Sequence, residues 1–156
     1  MKKFENTNPL ISIITVVKNS ESTIERCIES VINQSYDNIE YIIINGNSSD
    51  NTNNVLEKYK NKINKIINEK DEGIWDAMNK ALKYANGEII GFLNSDDIYY
   101  PDTVSIVNKY FTNHKIDFLF GTVEKYKLMH GYKPWKIKWS FGFYTSHSVG
   151  FFIKTN

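Results

Sequence analysis

What most constrains this chain is a series of apolar, β-branched runs, each followed by residues with helical periodicity. LISIITVV (10–17), IEYIII (39–44) and EIIGFL (88–93) are dominated by Ile, Val and Leu. A strand with one wet face alternates apolar and polar residues, whereas runs of this kind belong to strands covered on both faces. Between them, Ile24, Cys27, Ile28, Val31 and Ile32 recur at helical spacing, with Ser22 and Glu25 placed as a capping box. After residue 52 a short helix would turn Val55, Leu56 and Tyr59 inward. NKINKIINEK (61–70) holds the isoleucines of a short strand. Ile74, Ala77, Met78, Ala81, Leu82 and Ala85 make the next stripe, with Asn86-Gly87 as its stop.

The order β-α-β-α-β-α-β predicts a parallel sheet with helices on both faces. A further helix is expected from Pro101 to about Phe111, with Val104, Val107 and Phe111 in the core and Asp102 capping its start. Beyond it DFLFGTVEKYKL and YKPWKIKW read as strands of an antiparallel addition. SHSVGFFIKTN ends in an apolar run with no closing helix, as a chain cut in mid-domain would. At 156 residues this is one domain with room for a core.

A net charge of +1 gives no electrostatic grip on nucleic acid. Arg26 is the only arginine, so a bound phosphate would lean on lysine, backbone N–H groups or a metal. One cysteine, Cys27, excludes an internal disulfide and fits a reducing compartment; its helical spacing makes it a core residue. No run approaches the ~20 apolar residues of a membrane span, and MKKFENTNPL is not a secretory leader. A cytoplasmic location is expected, with association at the inner membrane face left open.

Open parallel sheets bind ligands at the carboxyl ends of their strands. There the chain places Thr15, Val17, Lys18 and Asn19; then Asn45, Gly46, Asn47, Ser48, Ser49 and Asp50; then Asn94, Ser95, Asp96 and Asp97. Asp71, Glu72 and Gly73 precede a helix whose N-terminus points to the same edge. Oxygen donors with no Cys or His at metal spacing suit Mg2+ or Mn2+, and Asp96 is the carboxylate best placed to hold one. NGNSSDNT lacks both GxGxxG and the Walker lysine, so dinucleotide and P-loop chemistry do not follow. Asp50 reads as a turn or helix-cap residue. No Ser nucleophile elbow is present.

SIITVVKNSESTIERCIESVINQSYDNIEYIIINGNSSDNT and EKDEGIWDAMNKALKYANGEIIGFLNSDDIYYPD together resemble the family-2 glycosyltransferases of the GT-A fold, in particular members of polysaccharide and colanic-acid-type biosynthesis. SHSVGFFIK (146–154) is similar to a later His-containing segment of that family. The resemblance implies an α/β GT-A (Rossmann-like) fold with a mostly parallel sheet, helices around it and a smaller antiparallel addition near the C-terminus. Residues 10–102 would be the donor-binding half of a single domain, and 103–156 the start of the acceptor-side half.

It further implies metal-dependent transfer of a sugar from a nucleotide diphosphate, UDP foremost, with inversion, to a glycan or lipid-linked acceptor. By position Thr15, Val17 and Asn19 would lie by the nucleoside, Asn45 and Gly46 by uracil or ribose, and Asp71 on the base side. Asn79 and Lys80 would face the nucleotide. Asn94 matches the first position of the Asp-x-Asp motif, beside Ser95, and Asp96 the metal-binding third. His147 and Asp97 are the catalytic candidates within the chain, His147 near the diphosphate or acceptor. Asn45 and Asn94 stand where many members carry Asp, which removes charge from the site. The family's general base lies in an acidic motif C-terminal to the His segment, so it is expected beyond residue 156. A non-catalytic nucleotide-binding module is the alternative. Nucleotidylyl transfer normally wants a glycine-rich loop that TVVKNSEST lacks. An unfinished sheet also leaves pairing with a second copy open.

Overall fold

The computed structural model describes residues 8–121 and 150–155. Their elements are β1 (Ile11–Val17), α1 (Ile24–Ile32), β2 (Ile39–Asn45), α2 (Thr52–Tyr59), β3 (Lys65–Asn68), α3 (Ile74–Leu82), β4 (Ile89–Phe92), α4 (Thr103–Asn113), β5 (Phe118–Phe120) and β6 (Phe151–Lys154). One six-stranded sheet runs in the order β3-β2-β1-β4-β6-β5. The first four strands of that order are mutually parallel, and β6 pairs antiparallel with both β4 and β5. This is the expected mostly parallel α/β sheet with an antiparallel addition.

The apolar runs behave as their composition demands. Every residue of β1 is buried, because helices cover both faces of the sheet. Ile11, Ile13 and Val17 point to the face packed by α1, α2 and α4, among Ile24, Ile28, Val55, Val104 and Phe111. Ile14 and Val16 point to the opposite face, against Ala77, Met78 and Ala81 of α3. Burying each such aliphatic side chain contributes about 1.5–3 kcal/mol, so a polar substitution in β1 would be felt on either face.

Four local expectations are corrected by the structure. The Ser22–Glu25 capping box does not form: Thr23 is the N-cap of α1 without a side-chain cap bond. Instead the Ser20 carbonyl accepts the N–H groups of Thr23 and Ile24, while the Glu25 carboxylate accepts from the Tyr59 hydroxyl at 3.1 Å. Asp102 sits at the N-cap of α4, but its carboxylate accepts from Ser35 Oγ at 2.9 Å. The cap comes from Gln34, whose Oε1 accepts the Val104 N–H at 3.0 Å.

The α3 stripe is narrower than its periodicity suggested, since Ile74 and Leu82 are exposed. That helix ends at Leu82, before Asn86-Gly87. Asn86 is drawn to β2, its N–H and Nδ2 both donating to the Glu40 carboxylate. Gly87 lies against β1 so closely that a Cβ there would stand 2.5 Å from Ser12 N. The pair is a strand entry held by long-range contacts rather than a helix stop. The expected strand YKPWKIKW and His147 lie outside the described residues.

Candidate functional site

The parallel register brings the strand ends together. Val17 of β1 pairs with Asn45 of β2, and Asn45 with Asn68 of β3. β4 stops at Phe92, opposite Ile14, and Leu93 N still donates to Ile14 O at 2.9 Å. Residues 94–96 therefore run beside the end of β1. An open cleft of about 620 Å3 lies across this edge. Val16, Val17, Lys18 and Ser20 form one side, the Asp71–Ile74 segment with Ala77 a second, and Asn94, Ser95 and Asp96 a third.

Glycine shapes the surroundings of this cleft at two points. Gly73, the N-cap of α3, has φ 121° and ψ 176°, a conformation open essentially to glycine alone. At Gly46 a Cβ would stand 1.9 Å from Asp71 Oδ2, so the bare glycine lets the Asp71 carboxylate lie against the end of β2. Asp71 Oδ1 meanwhile accepts the Gly73 N–H at 3.0 Å. Asn19 and Asn47 take left-handed φ values of 51° and 57° at the adjoining turns, which Asn tolerates better than most residues.

Of the residues singled out in the sequence, Val17, Lys18, Asp71, Glu72, Gly73, Asn94, Ser95 and Asp96 line the cleft. Thr15, Asn19 and Asn45 are engaged around it. Thr15 is fully buried, its hydroxyl 3.1 Å from Tyr41 Oη. Asn45 is also fully buried: its amide donates to Asn53 and Asn68, and its carbonyl accepts from Ser48. Asn19 Oδ1 accepts the Ser49 N–H at 2.8 Å. Lys80 turns from the cleft to the β3–α3 connection, donating to Lys70 O at 2.8 Å and pairing with Asp76 at 2.9 Å. Asn79 is exposed on α3 outside the lining. Asp97 Oδ2 accepts from Asn94 Nδ2 at 3.3 Å, so Asp96 is the member of the acidic pair that meets the cleft.

Val16, Ser20, Ile74 and Ala77 line the cleft without having been singled out. Val16 hid in the strand run, Ser20 in a turn, and Ile74 and Ala77 in an apolar helical stripe, so only the approach of α3 to β1 shows them. Burial pushes the Cys27 thiol up to about 12, against the pull of hydrogen bonds with Thr15 and Tyr41. It is a neutral core group, as its helical spacing indicated.

The lining carries three carboxylates, from Asp71, Glu72 and Asp96, against the single ammonium of Lys18. An excess of acid around a polar cleft favours a cation or a ligand that arrives with one. Among the described residues no three His, Cys, Asp or Glu side chains converge as a metal cage. The donor set is hard oxygen, which suits an ion that completes its shell with ligand oxygens.

The sheet order and the cleft across its strand ends define an α/β domain of the GT-A type. The chain belongs to glycosyl transferase family 2, whose sequence model matches residues 12–155. It is 40% identical over 116 residues to the UDP-Glc:alpha-D-GlcNAc-diphosphoundecaprenol beta-1,3-glucosyltransferase WfgD of Escherichia coli, covering 74% of this chain and 46% of that one. It is 38% identical over 112 residues to the hyaluronan synthase of Pasteurella multocida, covering 70% of this chain and 12% of that one. The chain thus spans less than half the length of these relatives. Among solved structures, S. aureus TarS 1-349 in complex with UDP-GlcNAc superposes with a TM-score of 0.72 at 26% identity, over 80% of this chain and 37% of that one. Among the described residues no helix is long and apolar enough to cross a membrane.

Proposed function

We propose that the cleft binds a nucleotide-diphosphate sugar, a UDP-sugar, and that the domain takes part in metal-dependent, inverting transfer of the sugar to a glycan or lipid-linked acceptor. The observation that carries the reading is the convergence of Asp96 and the Asp71–Ile74 segment on one cleft at the carboxyl edge of the sheet. Family membership supports it, as do the UDP-sugar in the TarS complex and the UDP-Glc and diphosphoundecaprenol in the name of the E. coli relative.

Asp96 is the residue that would hold a divalent ion, Mn2+ or Mg2+, jointly with donor phosphate oxygens. Such an ion supplies Lewis-acid stabilisation of the charge that develops on a departing diphosphate. The chain's own residues do the placing. Asp71, fixed by Gly73 N and by the gap at Gly46, offers an acceptor to the base or ribose. Asn94 and Ser95 offer neutral hydrogen-bonding groups beside it. Val16, Val17, Ile74 and Ala77 give an apolar wall, which keeps water from part of the bound nucleotide. Lys18 brings the one positive charge of the lining. His147, outside the described residues, remains the candidate for the diphosphate or acceptor side.

Calorimetric titration with UDP, with and without Mn2+, tests the reading on this chain and on Asp96→Ala. UDP binding that requires the metal and weakens at least about tenfold in the variant, at unchanged melting temperature, is the expected result. Equal binding by the two proteins would exclude Asp96 from the site and with it the metal-dependent reading.

A further inference from the structure

The segment that carries Asp96 is laced to α1 and to the turns that flank it. Cys27 Sγ donates to Asn94 O at 3.4 Å, Ser20 Oγ lies 3.0 Å from Ser95 Oγ, and Arg26 Nη2 donates to Asp96 O at 2.8 Å. Further on, Ser30 Oγ accepts the Tyr99 N–H at 3.1 Å and Gln34 Nε2 donates to Tyr100 O at 2.8 Å. Three consecutive residues of the acidic turn are thus each gripped from the α1 side. Of these grips, the one on Asp96 comes from the only arginine in the chain.

We infer that Arg26 is the positioning residue for Asp96. Its guanidinium binds the peptide oxygen and not the carboxylate. It therefore fixes where the Asp96 side chain starts while leaving the carboxylate open to the cleft. A charge-assisted bond to a carbonyl is stronger than a neutral one, and an exposed turn without it would sample other peptide orientations. Groups that orient a ligating carboxylate commonly matter about as much as tenfold to a hundredfold in metal affinity. The inference rests on the proposed role of Asp96.

The test uses the full chain as wild type, Arg26→Met, Arg26→Lys and Asp96→Ala. Methionine keeps an unbranched apolar stem and removes the donors, whereas lysine keeps a cationic donor. Mn2+ binding is followed by electron paramagnetic resonance, and UDP affinity is measured with and without Mn2+. Arg26→Met is expected to weaken metal-dependent UDP binding about tenfold and to leave metal-free UDP binding unchanged. Its melting temperature should stay within about 2 °C, since the side chain is exposed. Arg26→Lys should recover most of the loss. Wild-type Mn2+ and UDP binding by Arg26→Met, alongside a defect in Asp96→Ala, overturns the inference while sparing the role of Asp96. So does a loss shared by metal-free binding and melting temperature, which marks a purely structural residue. A silent Asp96→Ala removes the functional reading first, and the inference falls with it.

Discussion

Replacing Gly46 with alanine asks whether the cleft depends on the exact seat of Asp71. The new Cβ would stand 1.9 Å from Asp71 Oδ2 and 3.0 Å from its Cγ. Non-bonded contact needs about 3.5 Å, so the carboxylate must retreat by about 1.5 Å. That movement draws Oδ1 from the Gly73 N–H, now 3.0 Å away. The fold should tolerate the change. Gly46 is not among the residues with positive φ, and alanine at a compatible position gains about 0.4–1 kcal/mol from a stiffer unfolded chain. This roughly offsets the ~1 kcal/mol of one lost hydrogen bond. Ligand binding should not tolerate it, because a hydrogen bond to a charged group is worth about 1.5–3 kcal/mol, or about tenfold to a hundredfold in affinity. UDP titration of Gly46→Ala, Asp71→Ala and the double variant measures the coupling. Each single variant should weaken binding, and the alanine at 46 should add little once Asp71 is gone. Undiminished UDP affinity in Gly46→Ala, or a loss that persists in full without Asp71, would refute the reasoning.

Two further outcomes concern stability. At Gly91, inside β4, a Cβ would meet Phe152 Cε1 at 2.3 Å and Ile13 Cδ1 at 3.2 Å; Gly91→Ala should lower the denaturation free energy by about 1–3 kcal/mol in a urea titration, and an unchanged midpoint would show that β6 yields freely. Burial pushes the buried Glu40 carboxyl up, but hydrogen bonds from Ser12 and Asn86 and the Lys65 ammonium outweigh it and hold the group below its ordinary 4.5. Its ionised form therefore contributes stability that is present above 4.5 and lost as pH falls through the lower folded-state value. Glu40→Gln should be less stable near neutrality and lose less between about pH 5 and about pH 3, as read from urea midpoints across that range; parallel curves for the two proteins would refute the linkage.

Much of the fold was legible because buried parallel strands leave a direct mark. LISIITVV, IEYIII and EIIGFL needed no partner information to be read as central strands, and all three pair as β1, β2 and β4. Their ends were legible too, since Asn, Gly, Ser and Asp collect where apolar burial stops. Legibility failed at caps and stops. Ser22, Asp102 and Gly87 each obeyed a local rule, yet other demands came from far along the chain: Tyr59 drew the Glu25 carboxylate away from the α1 start, Gln34 supplied the α4 cap, and β1 pressed against Gly87.

For the site, the sequence by itself determined which chemistry collects at the carboxyl edge: oxygen donors, with Cys27 set in the core by its helical spacing. Tertiary structure decided which of those donors meet the cleft. Thr15 and Asn45 stand at strand ends as surely as Val17, but one faces Tyr41 across the core and the other is consumed by Asn53, Asn68 and Ser48. Asp96 is left to the cleft while Asp97 turns back to Asn94. Composition and periodicity report how a residue relates to its own element. Which way its polar atoms are turned is set by the partners within reach, some of them tens of residues away, which only the assembled sheet and helices bring within hydrogen-bonding distance.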